Sequence, residues 1–365
     1  MLSPQEILSW LEENVKGMRL SRLKTLAAIV PAAMELCGVG VLSLGRAMNT
    51  GTTAKHNIKR VGRFLGNAQV ECAALAQAVF EAFAPTHGPV LILADWTDVA
   101  TGKLLVFALP CNGRSIPFFV KAVPKKVGEG ELIQAENEAL KNLQHICANR
   151  SQVIIVADRG FGNRRWLQAI RAQGFHFVQR LSCVFNVDTE RHIGALKEIN
   201  VRRGKPVRDW GHGTIGDDEA IVGRLITAYD PNAKEPWYLV TDLDDIAALE
   251  VVRIYRRRWW IETLFRDEKN RDWGLGLACV TLKDYRRYER LFYIVALAFI
   301  LLSAHGAVAE AEGFDKGLKA NTRKIRVLNL LRIGYHYIRS KGTALEYAFA
   351  LLREWATRKQ APNWG

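Results

Sequence analysis

Two short runs constrain this chain more than anything else in it: Leu91-Ile92-Leu93-Ala94-Asp95 and Ile154-Ile155-Val156-Ala157-Asp158. Each is continuously apolar and ends in an Ala-Asp pair. A strand with one wet face alternates apolar and polar residues, so unbroken runs mark strands covered on both faces. Such strands lie inside an α/β sheet. Each aspartate then stands at the carboxyl end of a central strand, where open α/β sheets place ligands. Taken singly, a strand-end aspartate is also an ordinary turn or cap residue.

The rest of the chain divides by texture. Residues 1–78 read as helical, opening with Ser3 as N-cap, Pro4 at N1 and Glu6 at N3. Further helical segments are expected near Ser21–Cys37 and Val41–Met48, followed by Lys55, Lys59, Arg60 and Arg63 clustered within nine residues. Helices with clustered cations suit a module that grips DNA backbone or groove; a solvated basic face is the plainer alternative. Pro85–Pro89 breaks the pattern. Strands are expected at Val90–Ala94, Leu104–Leu109, Phe118–Val123, Val153–Ala157 and Phe175–Leu181, with helices at Gln134–Ala148 and Asn163–Gln173. Residues 79–182 thus form the first part of an α/β core with a mixed sheet. Residues 183–245 change to short β-prone pieces broken by Gly, Pro and Asp, read as a β-rich insertion. Residues 246–310 complete the core, and 311–365 are basic and helical.

Within 246–310, Tyr255, Arg258, Glu262 and Lys269 stand at offsets 0, +3, +7 and +14. On one continuous helix they point within roughly 60° of one another. Ile254, Ile261, Leu264 and Phe265 would anchor that helix in a core. A carboxylate among phosphate-binding donors fits metal-assisted phosphoryl chemistry; an amphipathic helix with i,i+4 ion pairs fits the same residues. Asp242, Asp244 and Asp245 precede this helix and read as its cap and dipole partners. Asp98 lies in the turn after Asp95.

Two matching strand-end acids and Glu262 make a set of three. Clustered carboxylates repel, and a hard divalent cation is their natural compensation. Mg²⁺, with Mn²⁺ substituting, is expected. Two such ions about 3.5–4 Å apart would clamp the attacking and leaving oxygens of an in-line displacement. No persuasive serine, cysteine or tyrosine nucleophile set competes.

The charge balance points the same way. Fifty-one Lys+Arg against 37 Asp+Glu give a formal +14, which favours a polyanion, nucleic acid before an anionic membrane surface. The six cysteines are scattered, without zinc spacing, and read as reduced thiols of a cytoplasmic protein. The N-terminus shows no secretion-signal pattern. Leu291–Ala309 is uncharged and long enough to span a bilayer, yet reads as a buried core helix.

The spacing Y-x-x-R-x-x-x-E-x-x-x-x-x-x-K at 255–269 resembles the signature of bacterial DDE transposases of the insertion-sequence-four type. KHNIKRVGRFLGN, ADWTD, ALPCNGRSIPFFVKAVP, VADRGFGNRRW, PWYLVT and RRRWWIETLFRDEK agree with it in the same order. The resemblance implies a ribonuclease-H-like core and a metal-binding triad of Asp95, Asp158 and Glu262. Tyr255, Arg258 and Lys269 would hold phosphates. Trp237, in PWYLVT, falls where relatives stack a flipped base, with a core tryptophan as the alternative. Arg180 would also contact DNA. Cut-and-paste chemistry through a DNA hairpin is implied, on transposon ends and target duplex, with two protomers in the synapse. The short C-terminal region leaves open how those protomers pair. Two other readings remain: a catalytically silent end-binding repressor and a ribonuclease-H-like nuclease without transposition.

Overall fold

The computed structural model describes residues 2–216, 221–270, 272, 274–320, 322 and 327–357. Positions 358–365 of the expected helical tail lie outside the described residues.

Five helices come first: α1 (Pro4–Asn14), α2 (Leu20–Leu36), α3 (Val41–Ala47), α4 (Ala54–Gly66) and α5 (Cys72–Phe83). Ser3 opens α1 with a capping box, its side chain accepting from the Glu6 amide while Glu6 accepts from the Ser3 amide. The α/β part follows with β1 (Val90–Asp98), β2 (Gly102–Cys111), β3 (Arg114–Pro124), α6 (Glu129–Ile146), β4 (Val153–Ala157), α7 (Arg164–Ala172) and β5 (His176–Arg180). Asn112 and Gly113, both at positive φ, close the β2–β3 hairpin, a turn that asparagine and glycine tolerate.

β1, β4 and β5 run parallel, and β2 runs antiparallel between β1 and β3. This mixed sheet is consistent with a ribonuclease-H-like core. β1 continues past the expected Ala94 because Asp95–Asp98 pair with Val106–Lys103 of β2. On its other side, pairing with β4 ends at Ala94↔Ala157. The sheet therefore parts beside Asp95, and Asp158 emerges at the same level.

Residues 183–245 do not make a sheet of their own. Their strands β6 (Asn186–Thr189), β7 (His192–Ala195), β8 (Arg208–Ile215), β9 (Ile221–Ala228) and β10 (Trp237–Thr241) extend the core sheet. β10 pairs antiparallel with β5. One ten-stranded sheet results, in the order β3-β2-β1-β4-β5-β10-β9-β8-β6-β7.

After the sheet come α8 (Ala248–Arg256), α9 (Trp259–Lys269), α10 (Arg287–Ala311), α11 (Leu330–Ser340) and α12 (Leu345–Thr357). α10 is long and apolar enough to cross a membrane, and its most apolar window is wholly buried inside the fold. It packs against α2, α11, α12 and β3. Arg290 on α10 donates to the Leu65 carbonyl of α4, and Glu289 accepts from the Ala122 amide of β3. The helix thereby ties the N-terminal helices to the sheet.

α10 and α11 cross at glycine. A Cβ on Gly334 would lie 1.8 Å from the Leu302 carbonyl oxygen, whereas one on Gly62 of α4 would meet nothing within 4 Å. Gly334→Ala should therefore destabilise the protein by about 1–3 kcal/mol through overpacking. Gly62→Ala should stabilise it by roughly 0.5–1 kcal/mol, because alanine loses less backbone entropy on folding. Urea unfolding of both variants checks the crossing; similar effects in the two would contradict it.

Candidate active site

The parallel register that pairs Ala94 with Ala157 sets Asp95 and Asp158 side by side at the carboxyl ends of β1 and β4. α9 brings the third acid. Ser115 at the start of β3 donates its hydroxyl to the Trp260 carbonyl. Beside it, Arg114 ion-pairs with Asp267 near the far end of α9. Held at both ends, α9 directs Glu262 toward the two aspartates.

Residues 251–269 are not one continuous helix, as their spacing suggested. The amides of Arg257 and Arg258 bond to carbonyls three residues back, and those of Trp260 and Ile261 do the same. This tighter turn separates α8 from α9 and alters the phase on which the single stripe depended. Tyr255 therefore ends one helix and Glu262 begins the next, with Arg258 at the junction.

Arg258 is where the acids meet. It is 3% exposed. Its Nη1 lies 3.6 Å from Asp95 Oδ2 and 3.8 Å from Asp158 Oδ2, and its Nη2 lies 2.5 Å from Glu262 Oε1. Sequence reasoning expected this guanidinium to face phosphate; the structure sets it against all three carboxylates. Burial would lower the guanidinium pKa, yet the neighbouring Tyr255 oxygen and the Asp158 and Glu262 carboxylates hold it above its ordinary value.

The acids differ in their support. Asp95 accepts from the Trp96 amide at 2.8 Å. Burial pushes its pKa up to about 6, against the pull of Arg258. Asp158 accepts from the Tyr255 hydroxyl at 3.0 Å and has Arg180 Nη1 at 3.9 Å. The buried Tyr255 phenol is shifted upward, by desolvation first, so it serves as a hydrogen-bond donor. Arg180 also pairs with Glu235 at 2.9 Å, and Arg159 shares that carboxylate at 3.1 Å.

The other expected residues are dispersed. Lys269 is half-buried at the end of α9, its pKa lowered by desolvation and raised in part by Asp98 and Glu268. Next to it, burial raises Glu268 to about 8, so this acid is largely protonated at neutral pH. Trp237 is 1% exposed and meets Tyr255 edge-on at 4.9 Å, so it offers no open face for a base. Its place between β9 pairing and the Tyr255 ring makes it a core side chain. Lys55, Lys59 and Arg63 are exposed along one face of α4, while Arg60 turns its Nε to the Thr25 hydroxyl.

Three features escaped the sequence reading. Trp259 is 42% exposed beside Arg258, whose guanidinium carbon lies 5.1 Å from its ring centre; the Trp259-Trp260 doublet was the available sign. Trp96 donates to Glu136 of α6 at 3.1 Å, placing a further carboxylate behind Asp95. A cavity of about 350 Å³ is lined by Arg202, Lys205 and Arg208. The register rows Arg180↔Leu239, Leu239↔Ile226 and Ile226↔Asp209 put that cavity at the triad's end of the sheet. Three strand spacings, roughly 14 Å, separate it from Arg180.

Among the described residues, no three His, Cys, Asp or Glu groups are drawn together closely enough to hold a metal ion as they stand. The donors nevertheless suit a hard cation. Asp95 and Asp158 each present an oxygen to the same Arg258 nitrogen, so both already face one cationic point. Carboxylate oxygens are the donors that Mg²⁺ and Mn²⁺ prefer.

A mixed sheet with acids at adjacent strand ends defines an α/β protein in which carboxylates from two strands and a helix gather around one guanidinium. Residues 87–301 match the family model of the transposase DDE domain, and the chain belongs to that family. The family in general depends on divalent metal ions and acts on DNA. No individual curated protein matches the chain.

Because Asp95 is held above its unfolded pKa, its ionisation opposes folding. The native state binds the extra proton between about pH 4 and 6, so this group's contribution to stability falls as pH rises through that window. Asp95→Asn should therefore raise stability at pH 7.5 in the presence of a chelator. The gain should shrink as pH falls from 6 toward 4, followed by urea unfolding. A gain independent of pH would contradict this assignment.

Proposed function

We propose that this chain is a DNA transposase of the insertion-sequence-four type, with Asp95, Asp158 and Glu262 as its metal-binding catalytic triad. The observation that carries the reading is the approach of all three acids to one buried cationic point in a chain of the DDE family. Asp95, Asp158 and Glu262 would hold two Mg²⁺ ions, or Mn²⁺ in their place, which would supply Lewis-acid stabilisation of the charge that develops during phosphoryl transfer. The chain's own residues hold the reacting strand. Tyr255 orients Asp158 through its hydroxyl. Arg180 stands at the rim beside Asp158, and Lys269 closes the far end of α9. Trp259 offers an exposed ring on which an extruded base can stack.

The reaction proceeds by cut and paste. Water nicks one strand at the transposon end. The freed 3′-hydroxyl attacks the opposite strand to form a hairpin, a second water opens it, and the 3′ end joins target DNA. Residues 1–78 grip the terminal inverted repeat through Lys55, Lys59, Arg60 and Arg63, and the Arg202-Lys205-Arg208 cavity holds backbone further along the same duplex. Residues 183–245 act as a β-rich insertion between the two parts of the catalytic core. A homodimer pairs the two ends in the bacterial cytoplasm.

Glu262→Gln should retain binding to the element's inverted-repeat duplex while lowering Mg²⁺-dependent cleavage by at least about 100-fold, the scale of a lost electrostatic contact at the reacting atoms. Gel-shift and cleavage assays on the same duplex separate the two effects. Undiminished cleavage by the variant would remove Glu262 from the triad. Duplex binding should also weaken steeply as salt rises, because many phosphates are neutralised. Replacing Arg202, Lys205 and Arg208 together by glutamine should flatten that slope; an unchanged slope would exclude the cavity from the DNA path.

A further inference from the structure

Arg258 does more than line the site, and its geometry limits what else can. One guanidinium contacts Asp95, Asp158 and Glu262, the three acids assigned above to divalent ions. A planar five-donor group filling the space between three carboxylates leaves no room there for a cation that needs the same oxygens. Nor can the two kinds of charge coexist comfortably, because a buried guanidinium repels a divalent ion placed against it. Full ion loading therefore requires the guanidinium to withdraw.

The structure provides for that withdrawal. Arg258 sits at the tightened turn between α8 and α9, where backbone bonds follow the i→i−3 pattern. Its Nε has no hydrogen-bond partner, so the head is not locked at every donor. The guanidinium carbon already lies 5.1 Å from the centre of the Trp259 ring, so the head packs beside a side chain that is 42% exposed to solvent. What draws the head outward must be anionic, planar-compatible and already at the mouth. A DNA phosphate meets all three conditions, accepting a bidentate guanidinium.

We propose that Arg258 is a built-in counter-cation that competes with divalent ions for the three acids until a DNA phosphate takes up its guanidinium. The inference rests on the triad reading above. It makes metal binding and DNA binding mutually reinforcing: each ligand removes the obstacle to the other, by the same factor in both directions. Ion loading is then coupled to the presence of substrate, which disfavours an active site primed without DNA.

The test is Mn²⁺ affinity of the full chain, by calorimetry, with and without a short random-sequence duplex at low salt. Without duplex, Arg258→Gln should bind Mn²⁺ roughly 10-fold more tightly than the unaltered chain, within the usual range of such couplings. Adding duplex should tighten Mn²⁺ binding to the unaltered chain and leave that of Arg258→Gln nearly unchanged. Arg258→Lys keeps a buried cation but cannot span three acids, so it should fall between the two and remains informative if the glutamine variant does not fold. Equal or weaker Mn²⁺ binding by these variants, with the duplex effect intact, would overturn the proposal. Glu262→Gln and Asp95→Asn distinguish the two levels. If they weaken Mn²⁺ binding while Arg258 variants change nothing, the triad stands and only the competition fails. If they too leave it unchanged, the triad itself fails.

Discussion

The convergence of three carboxylates on one buried guanidinium is the interaction on which the rest of the site depends. Like charges brought together and partly desolvated are unfavourable unless a cation answers them. Arg258 answers all three, with its shortest contact to Glu262. Removing it would leave three neighbouring, partly exposed acids to repel one another without a counter-charge. The surrounding fold serves this meeting. The β1–β4 register aligns two acids, the Arg114–Asp267 pair and the Ser115–Trp260 bond hold α9 in place, and Tyr255 steadies Asp158.

The helical parts provide the rigidity that such positioning requires. α10 is buried along its length and fastens to both the N-terminal helices and β3. Its glycine crossing with α11 adds close backbone contact. The extended sheet has a different consequence. By continuing through β10 to β7, it carries basic loops such as Arg202–Arg208 to the same end as the acids, a layout suited to a long polyanion.

Much of the sheet was legible in the sequence because burial on both faces leaves an unmistakable apolar run. Asp95 and Asp158 stood out since each ends such a run, and strand direction then fixes the end of the sheet they occupy. The Ser3 cap and the buried α10 were likewise local in origin. What escaped was decided by tertiary contact. The turn between α8 and α9 has no glycine or proline to announce it; Arg258, drawn to acids from distant strands, sits where the helix tightens. Trp237 was expected to meet a flipped base from its place in PWYLVT, and that match does not reveal that Tyr255 covers it. The union of residues 183–245 with the core depends on β10 finding β5, a pairing remote in sequence and unmarked by composition.

The most direct measurement is the anomalous scattering of manganese in crystals of this chain grown with a DNA duplex and Mn²⁺. Strong peaks contacting Asp95, Asp158 and Glu262 oxygens, with the Arg258 head moved onto phosphate, are the predicted result. Manganese bound elsewhere, with Arg258 still against all three acids and DNA engaged, would contradict the account.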